Sequence, residues 1–201
     1  MRIFFLICLF SFFGNAQETF TPKKTKVSTI VIDGKLDPNE WESALQVPLD
    51  IEFNPANNKA SQKETIAYIT YSDRYVFIGV YAKDNPSNIR ASIRPRDDFN
   101  IWNDDVFLVR LDPYADSRNN LGLAVNALGS QFDVKQVNAL TDADRYDSSF
   151  NVNFESAGTI VNDGYQIEMK IPFSEIPFPN GTNQTWHINF YRRYVENGNQ
   201  I

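Results

Sequence analysis

Residues 65–81 read TIAYITYSDRYVFIGVY. Thr65–Tyr71 and Tyr75–Tyr81 are β-branched and aromatic runs, with Ser72, Asp73 and Arg74 between them. Such side chains suit a pleated, half-buried surface, so each run reads as a strand and the three-residue connection as a hairpin turn. Both runs are apolar on both faces. That places the hairpin at the centre of its sheet rather than at an edge.

Similar runs follow on either side. Strands are expected over Ser28–Ile32, Val47–Phe53 (an edge), Asp105–Leu111 and Trp186–Tyr194. Two further hairpins join Leu121–Ala127 to Gln131–Val137 through Gly129, and Asn151–Ile160 to Tyr165–Ile171 through Asp163-Gly164, a pair suited to a tight turn. In the last of these strands Tyr165, Ile167, Met169 and Ile171 alternate with Gln166, Glu168 and Lys170, so one face is expected in the core and the other in water. One short helix is expected from Asp37 to about Leu45, with Asp37 as N-cap, Pro38 at the first position and Glu40 completing a capping box. Trp41 and Leu45 would share its buried face, Trp41 as a core anchor. A turn of helix is expected over Pro86–Ala91. Many short strands split by Gly, Asn and Asp turns imply an all-β fold. The expectation is a two-sheet antiparallel β-sandwich of jelly-roll or immunoglobulin-like type with one short N-terminal helix.

The chain has 201 residues, is 42% hydrophobic and 14% aromatic, and carries a net charge of −6. That suits one folded domain with a sizeable core. The acidic balance argues against nucleic acid, which wants a basic face. Residues 1–16 combine Arg2, the apolar run IFFLICLFSFF and a small-x-small ending at Ala16. They read as a signal peptide cut before Gln17, too short to span a bilayer as a helix of about 20 residues. Loss of Arg2 with it takes the charge from −6 to −7. The only cysteine, Cys8, lies inside that segment, so an exported domain would rest on its core without disulfides. This favours a bacterial envelope protein: periplasm, outer membrane or surface of a Gram-negative cell. Residues 17–26 read as a flexible leader, 27–195 as the domain, and 196–201 as a tail that leads on to a further domain.

Residues 93–117, IRPRDDFNIWNDDVFLVRLDPYADS, hold three arginines, six aspartates and Trp102 around one apolar strand. Asp97, Asp98, Asp104 and Asp105 are candidate ligands for a calcium ion, a hard cation that takes oxygen donors. Arg94, Arg96 and Asp98 are candidate polar contacts for a sugar, with Trp102 as the apolar ring face. The other reading is a loop of surface ion pairs leading into a buried strand.

Several landmarks then fall into order: Ile32-Asp33-Gly34, Asp37 and Trp41; the Tyr71–Tyr81 hairpin leading to Asp84; Arg96-Asp97-Asp98; Asp105-Val106-Phe107 through Asp112-Pro113; Gly164-Tyr165 through Pro172-Phe173; and Trp186-His187-Ile188. The series resembles the family 9 type of carbohydrate-binding module, within the wider DOMON-like group of β-sandwiches. It is most similar to the variant that precedes a membrane β-barrel in large envelope proteins. The resemblance covers about residues 27–195 and implies a two-sheet sandwich, sugar ends held between aromatic rings, and structural calcium. A two-ring grip would need Trp186 opposite Trp102. A glycan and a C-terminal β-barrel in the same full-length chain are the expected partners. The expected function is non-catalytic carbohydrate binding. The alternatives are an interaction or plug domain for a barrel, haem binding through His187 and Met169, and glycoside hydrolysis by Asp97-Asp98 or Asp104-Asp105. One His and no mature Cys supply a nucleophilic site poorly.

Overall fold

The computed structural model describes residues 19–25, 30–55, 58–196 and 199–200. In chain order its strands are β1 (Leu45–Pro48), β2 (Ile51–Glu52), β3 (Lys59–Ala60), β4 (Thr65–Tyr71), β5 (Tyr75–Lys83), β6 (Val106–Asp112), β7 (Asn119–Asn126), β8 (Gln131–Val137), β9 (Tyr146–Asp147), β10 (Glu155–Val161), β11 (Gly164–Pro172), β12 (His187–Arg193), β13 (Val195–Glu196) and β14 (Asn199–Gln200). Two five-stranded antiparallel sheets, in the orders β1-β4-β5-β11-β10 and β12-β6-β7-β8-β9, form the sandwich. The β4–β5 hairpin is central in the first sheet, as its two-faced apolar sequence requires. Between the sheets, Ile78, Val80, Ile167 and Met169 meet Phe107, Val109, Leu123 and Val125, all fully buried.

The outer face of the first sheet departs from the expected wet surface. Glu168, on the face opposite Ile167 and Met169, is fully buried. Residues 30–41 lie over it. Trp41 Nε1 donates to Glu168 Oε1 at 3.0 Å, and the Asp33 and Gly34 amides donate to Oε2 at 2.9 and 2.8 Å. Leu36 N–H donates to Gln166 Oε1 at 3.0 Å. Burial pushes the Glu168 carboxyl pKa up, against the pull of the Trp41 and backbone N–H groups. Strand alternation reports which side chains share a face, not what the rest of the chain lays over that face. Ile30, Trp41 and Phe77 form the small core there. A Cβ at Gly79 would sit 2.8 Å from Leu36 and 3.1 Å from the Trp41 ring, so glycine lets the indole lie flat on the strand.

Four local expectations change with this cover. The helix, α1 (Pro38–Trp41), is one turn long, and Leu45 opens β1 and packs in the main core, away from Trp41. Asp37 caps it through the Asn39 amide at 2.8 Å, but Glu40 bonds the Val31 amide at 3.3 Å instead of closing a capping box. Of the strand expected over Ser28–Ile32, Ser28 and Thr29 lie outside the described residues, and Ile30–Ile32 join no ladder. Of the expected flexible leader, the described residues 19–25 are docked: the pairing of β1 with β4 reaches only to Ile69, which leaves the Tyr71 carbonyl open, and the Thr25 amide bonds it at 2.7 Å. Phe20 packs against the core from the same segment.

Candidate functional site

The charged stretch before β6 is tied down from within. Arg94 Nε and Nη2 fork onto Asp104 Oδ2 and Oδ1 at 2.7 and 2.8 Å. Asp104 also accepts from Asn126 Nδ2 at 2.9 Å and from the Ser92 amide at 3.3 Å. Burial works against its charge, but these donors outweigh it and hold Asp104 below the usual carboxylate range. Asp98 caps the 3-10 turn Phe99–Asn103 through the Asn100 amide at 2.9 Å, which lowers its pKa, and Arg94 lies 3.5 Å away. Arg96 bonds the fully buried Asp133, the Val152 carbonyl and, at 3.1 Å, Gln131 Oε1. Asp97 adopts a left-handed φ of 61° and accepts from the Asp133 amide at 3.1 Å. The stretch thus rivets the 93–104 loop to β8 and to residues 151–154.

Asp105 points between the sheets. Its Oδ2 accepts from the Arg90 amide at 2.7 Å, and burial pushes its pKa up to about 6. Arg192, inside the same end of the sandwich, pairs with Asp84 at 2.8 Å. Among the described residues no group of three or more His, Cys, Asp or Glu side chains stands together as a metal cage. Asp97, Asp98, Asp104 and Asp105 do not fit a shared calcium site: guanidinium and N–H donors hold most of the oxygens a hard cation would take, and Asp105 Oδ1, which has no partner, is buried apart from them. For the same reason neither aspartate pair offers the two free carboxyls that glycoside hydrolysis uses.

The two remaining tryptophans lie apart. Trp102 precedes β6 at Val106, whereas Trp186 precedes His187, which pairs with Asp112 at the far end of β6. Six strand steps separate the ends, roughly 20 Å. Trp186 packs instead on Phe173 and Phe178, with centroids 6.0 and 5.6 Å away. It cannot face Trp102 across one sugar ring. Met169 is fully buried in the core, and His187 Nδ1 lies 3.2 Å from Asp112 Oδ2, so no pair of haem ligands converges.

The outer face of the second sheet is different. At one end Phe132, Val106 and Ala124 form a small apolar cluster under Ile101 and Trp102. Trp102 and Phe99 each meet Phe132 edge-on, at 5.6 and 5.2 Å, and Phe99 is 67% exposed. At the other end a cleft of about 320 Å³ is lined by Arg110, Asp112, Ser117, Asn120, Gln136, Asn138, His187, Asn189 and Tyr191. Gln136 is only 7% exposed, yet its Oε1 has no hydrogen-bond partner, and Asn120 Oδ1 is also buried without one. Buried polar atoms are rarely left unsatisfied. Arg110 lies over the Tyr191 ring at 5.1 Å. The sequence marked Trp102 but not the cleft, whose members come from four strands and two loops. The polar positions alternating along β6 and β12 were its only local signal. Another cleft, of about 350 Å³, opens beside β12, with Phe20, Val47, Leu49 and Phe190 in its wall. It has a more apolar lining and lacks such unpaired amides.

The family model described as carbohydrate family 9 binding domain-like matches residues 32–200. Among solved structures, a family 9 carbohydrate-binding module from Caldicellulosiruptor kristjanssonii in complex with cellotriose is 16% identical, with a TM-score of 0.58 over 89% of this chain and 78% of that one. The same organism's module in complex with glucose is 18% identical, with a TM-score of 0.59 over 89% of this chain and 81% of that one. At such identities the likeness is one of fold. No curated protein matches the chain.

Proposed function

The chain belongs to the carbohydrate family 9 binding domain-like family, and from that premise we propose that it is a non-catalytic module that holds saccharide on the outer face of its second sheet. One observation carries this reading. An aromatic pair, Phe99 and Trp102, and a polar cleft with unpartnered amide oxygens on Asn120 and Gln136 share that open face. Sugars need both parts: a flat ring for C–H faces and fixed donors and acceptors for hydroxyls. The polar role expected of Arg94, Arg96 and Asp98 passes to the cleft, since those three are held by internal partners. The apolar role of Trp102 stays. The apolar run of residues 1–16 supports export to a bacterial envelope, where a barrel in the same full-length chain is the proposed partner.

The test is calorimetric titration with glucose and cellotriose, the sugars in the two similar structures. Binding is expected, and Gln136→Leu should abolish it without lowering the melting temperature. If neither sugar nor any glycan on an array binds, the reading falls.

A further inference from the structure

We propose that this face selects saccharides carrying carboxylate groups, with Arg110 and Arg193 as the residues that recognise them. The inference rests on the glycan reading and adds a ligand class to it. It starts from how this acidic chain handles its interior arginines. Arg94, Arg96 and Arg192 are each set against an aspartate, at 2.7, 2.5 and 2.8 Å. Arg110 and Arg193 are not. Among the described residues neither makes an ion pair, and Arg110 makes no hydrogen bond, although each is half-buried. In a chain of net charge −6, acids to pair with them are plentiful.

Both arginines lie on the open face. Arg110 pairs in register with Asn189 and Arg193 with Val106, on adjacent antiparallel strands. The four-residue offset separates them by roughly 13 Å along the strands. An extended chain of sugars can cross such a distance, whereas a single sugar cannot. The stacking of Arg110 on Tyr191, at 5.1 Å, fixes the plane of the guanidinium but uses none of its N–H donors. A planar fork of donors matches a carboxylate bidentately. Arg193 Nε is buried without a partner, and burial lowers the pKa of that guanidinium. An incoming anion would offset this cost. Asp112, the acid on the same face, does not neutralise Arg110. Its oxygens accept from the Tyr114 and Ser117 amides at 3.2 and 2.8 Å and face His187 at 3.2 Å.

The test compares two trisaccharides of the same linkage on the full chain: cellotriose and its β-1,4-linked glucuronate counterpart. The glucuronate trimer should bind more tightly, and added salt should narrow the gap, as for any charge-assisted contact. Arg110→Gln and Arg193→Gln should each weaken the acidic ligand about tenfold more than the neutral one, with Arg110→Lys recovering part of the loss. Melting temperatures report whether each variant is folded. Equal binding of the two trimers, or equal losses for both, overturns the proposal and leaves the glycan reading standing. Tighter binding of a sulfated cellotriose than of the glucuronate overturns the carboxylate class. Binding of no saccharide at all removes the glycan reading and this inference together.

Discussion

The two outer faces of this sandwich have opposite fates. The face of the first sheet lies under residues 30–41, and its buried carboxylate, Glu168, receives three N–H donors. Among the described residues the 3-10 turn Phe99–Asn103 covers one end of the second sheet's face, and Arg110 and Arg193 there make no ion pair. A sheet with a covering segment completes its polar groups internally. A sheet without one leaves some of them without internal partners, which on the proposed reading a saccharide supplies. Each face carries a tryptophan, and the two tryptophans measure the difference.

The largest effect is expected at the covered face. Trp41 is 4% exposed, spans the gap to Gly79 and bonds Glu168. Trp41→Ala should cost about 3–5 kcal/mol, as for other buried aromatic truncations. Denaturant unfolding measures it. A loss below about 1 kcal/mol would mean that residues 30–41 only rest on the sheet.

Glu168→Gln tests the polar half of the same cover. An amide can accept on one end only, so either the Trp41 indole or the Asp33 and Gly34 amides would face an NH₂ group. The cost should be about 1–3 kcal/mol, that of leaving a buried donor unmade. The pH dependence has a definite sign. The folded-state pKa of Glu168 is raised, so its favourable contribution is complete below the ordinary glutamate pKa and is lost as pH rises through the folded value. The glutamine does not titrate. The gap between the two proteins should therefore narrow from acid to neutral pH, and a gap that widens would show Glu168 to be stabilised as an anion.

Sequence reading went furthest where one strand decides the outcome. The central hairpin, the shared core face of Tyr165, Ile167, Met169 and Ile171 and the turn at Asp163-Gly164 all follow from period and turn chemistry. It stopped where distant segments meet. Nothing local in Glu168 announces the N-terminal segment 127 residues away that buries it against Trp41. The cluster of Arg94, Arg96 and four aspartates drew attention as a site because charge density is visible in sequence. Arg94 finds Asp104 within the stretch, but the partners of Arg96 are Gln131, Asp133 and Val152, which are remote in sequence. The open cleft was invisible for the converse reason: Asn120, Gln136 and Asn189 are unremarkable one by one, and only the strand order β12-β6-β7-β8 brings them together.

The smallest effect on stability is expected from the other tryptophan. Trp102 is half-buried, and its ring meets Phe132 edge-on at 5.6 Å above a cluster of four buried residues. Its removal takes away one side of an aromatic contact and part of a satellite core, while the main core between the sheets is untouched. Trp102→Ala should therefore cost about 1–2 kcal/mol, well under the loss at Trp41. Its effect on function should run the other way. On the proposed reading the exposed part of the indole, with Phe99 beside it, is the apolar platform for the sugar, so the variant should fold and yet lose saccharide binding. Trp102→Phe should recover part of the affinity, because a smaller ring keeps the flat face. Measuring melting temperature and titration heat on the same preparation separates the two outcomes. If Trp102→Ala unfolds the domain as Trp41→Ala does, the second outer face is a covered face as well. If it folds and binds normally, the sugar is held by the polar cleft alone, and the aromatic end of the face serves only to anchor the 93–104 loop.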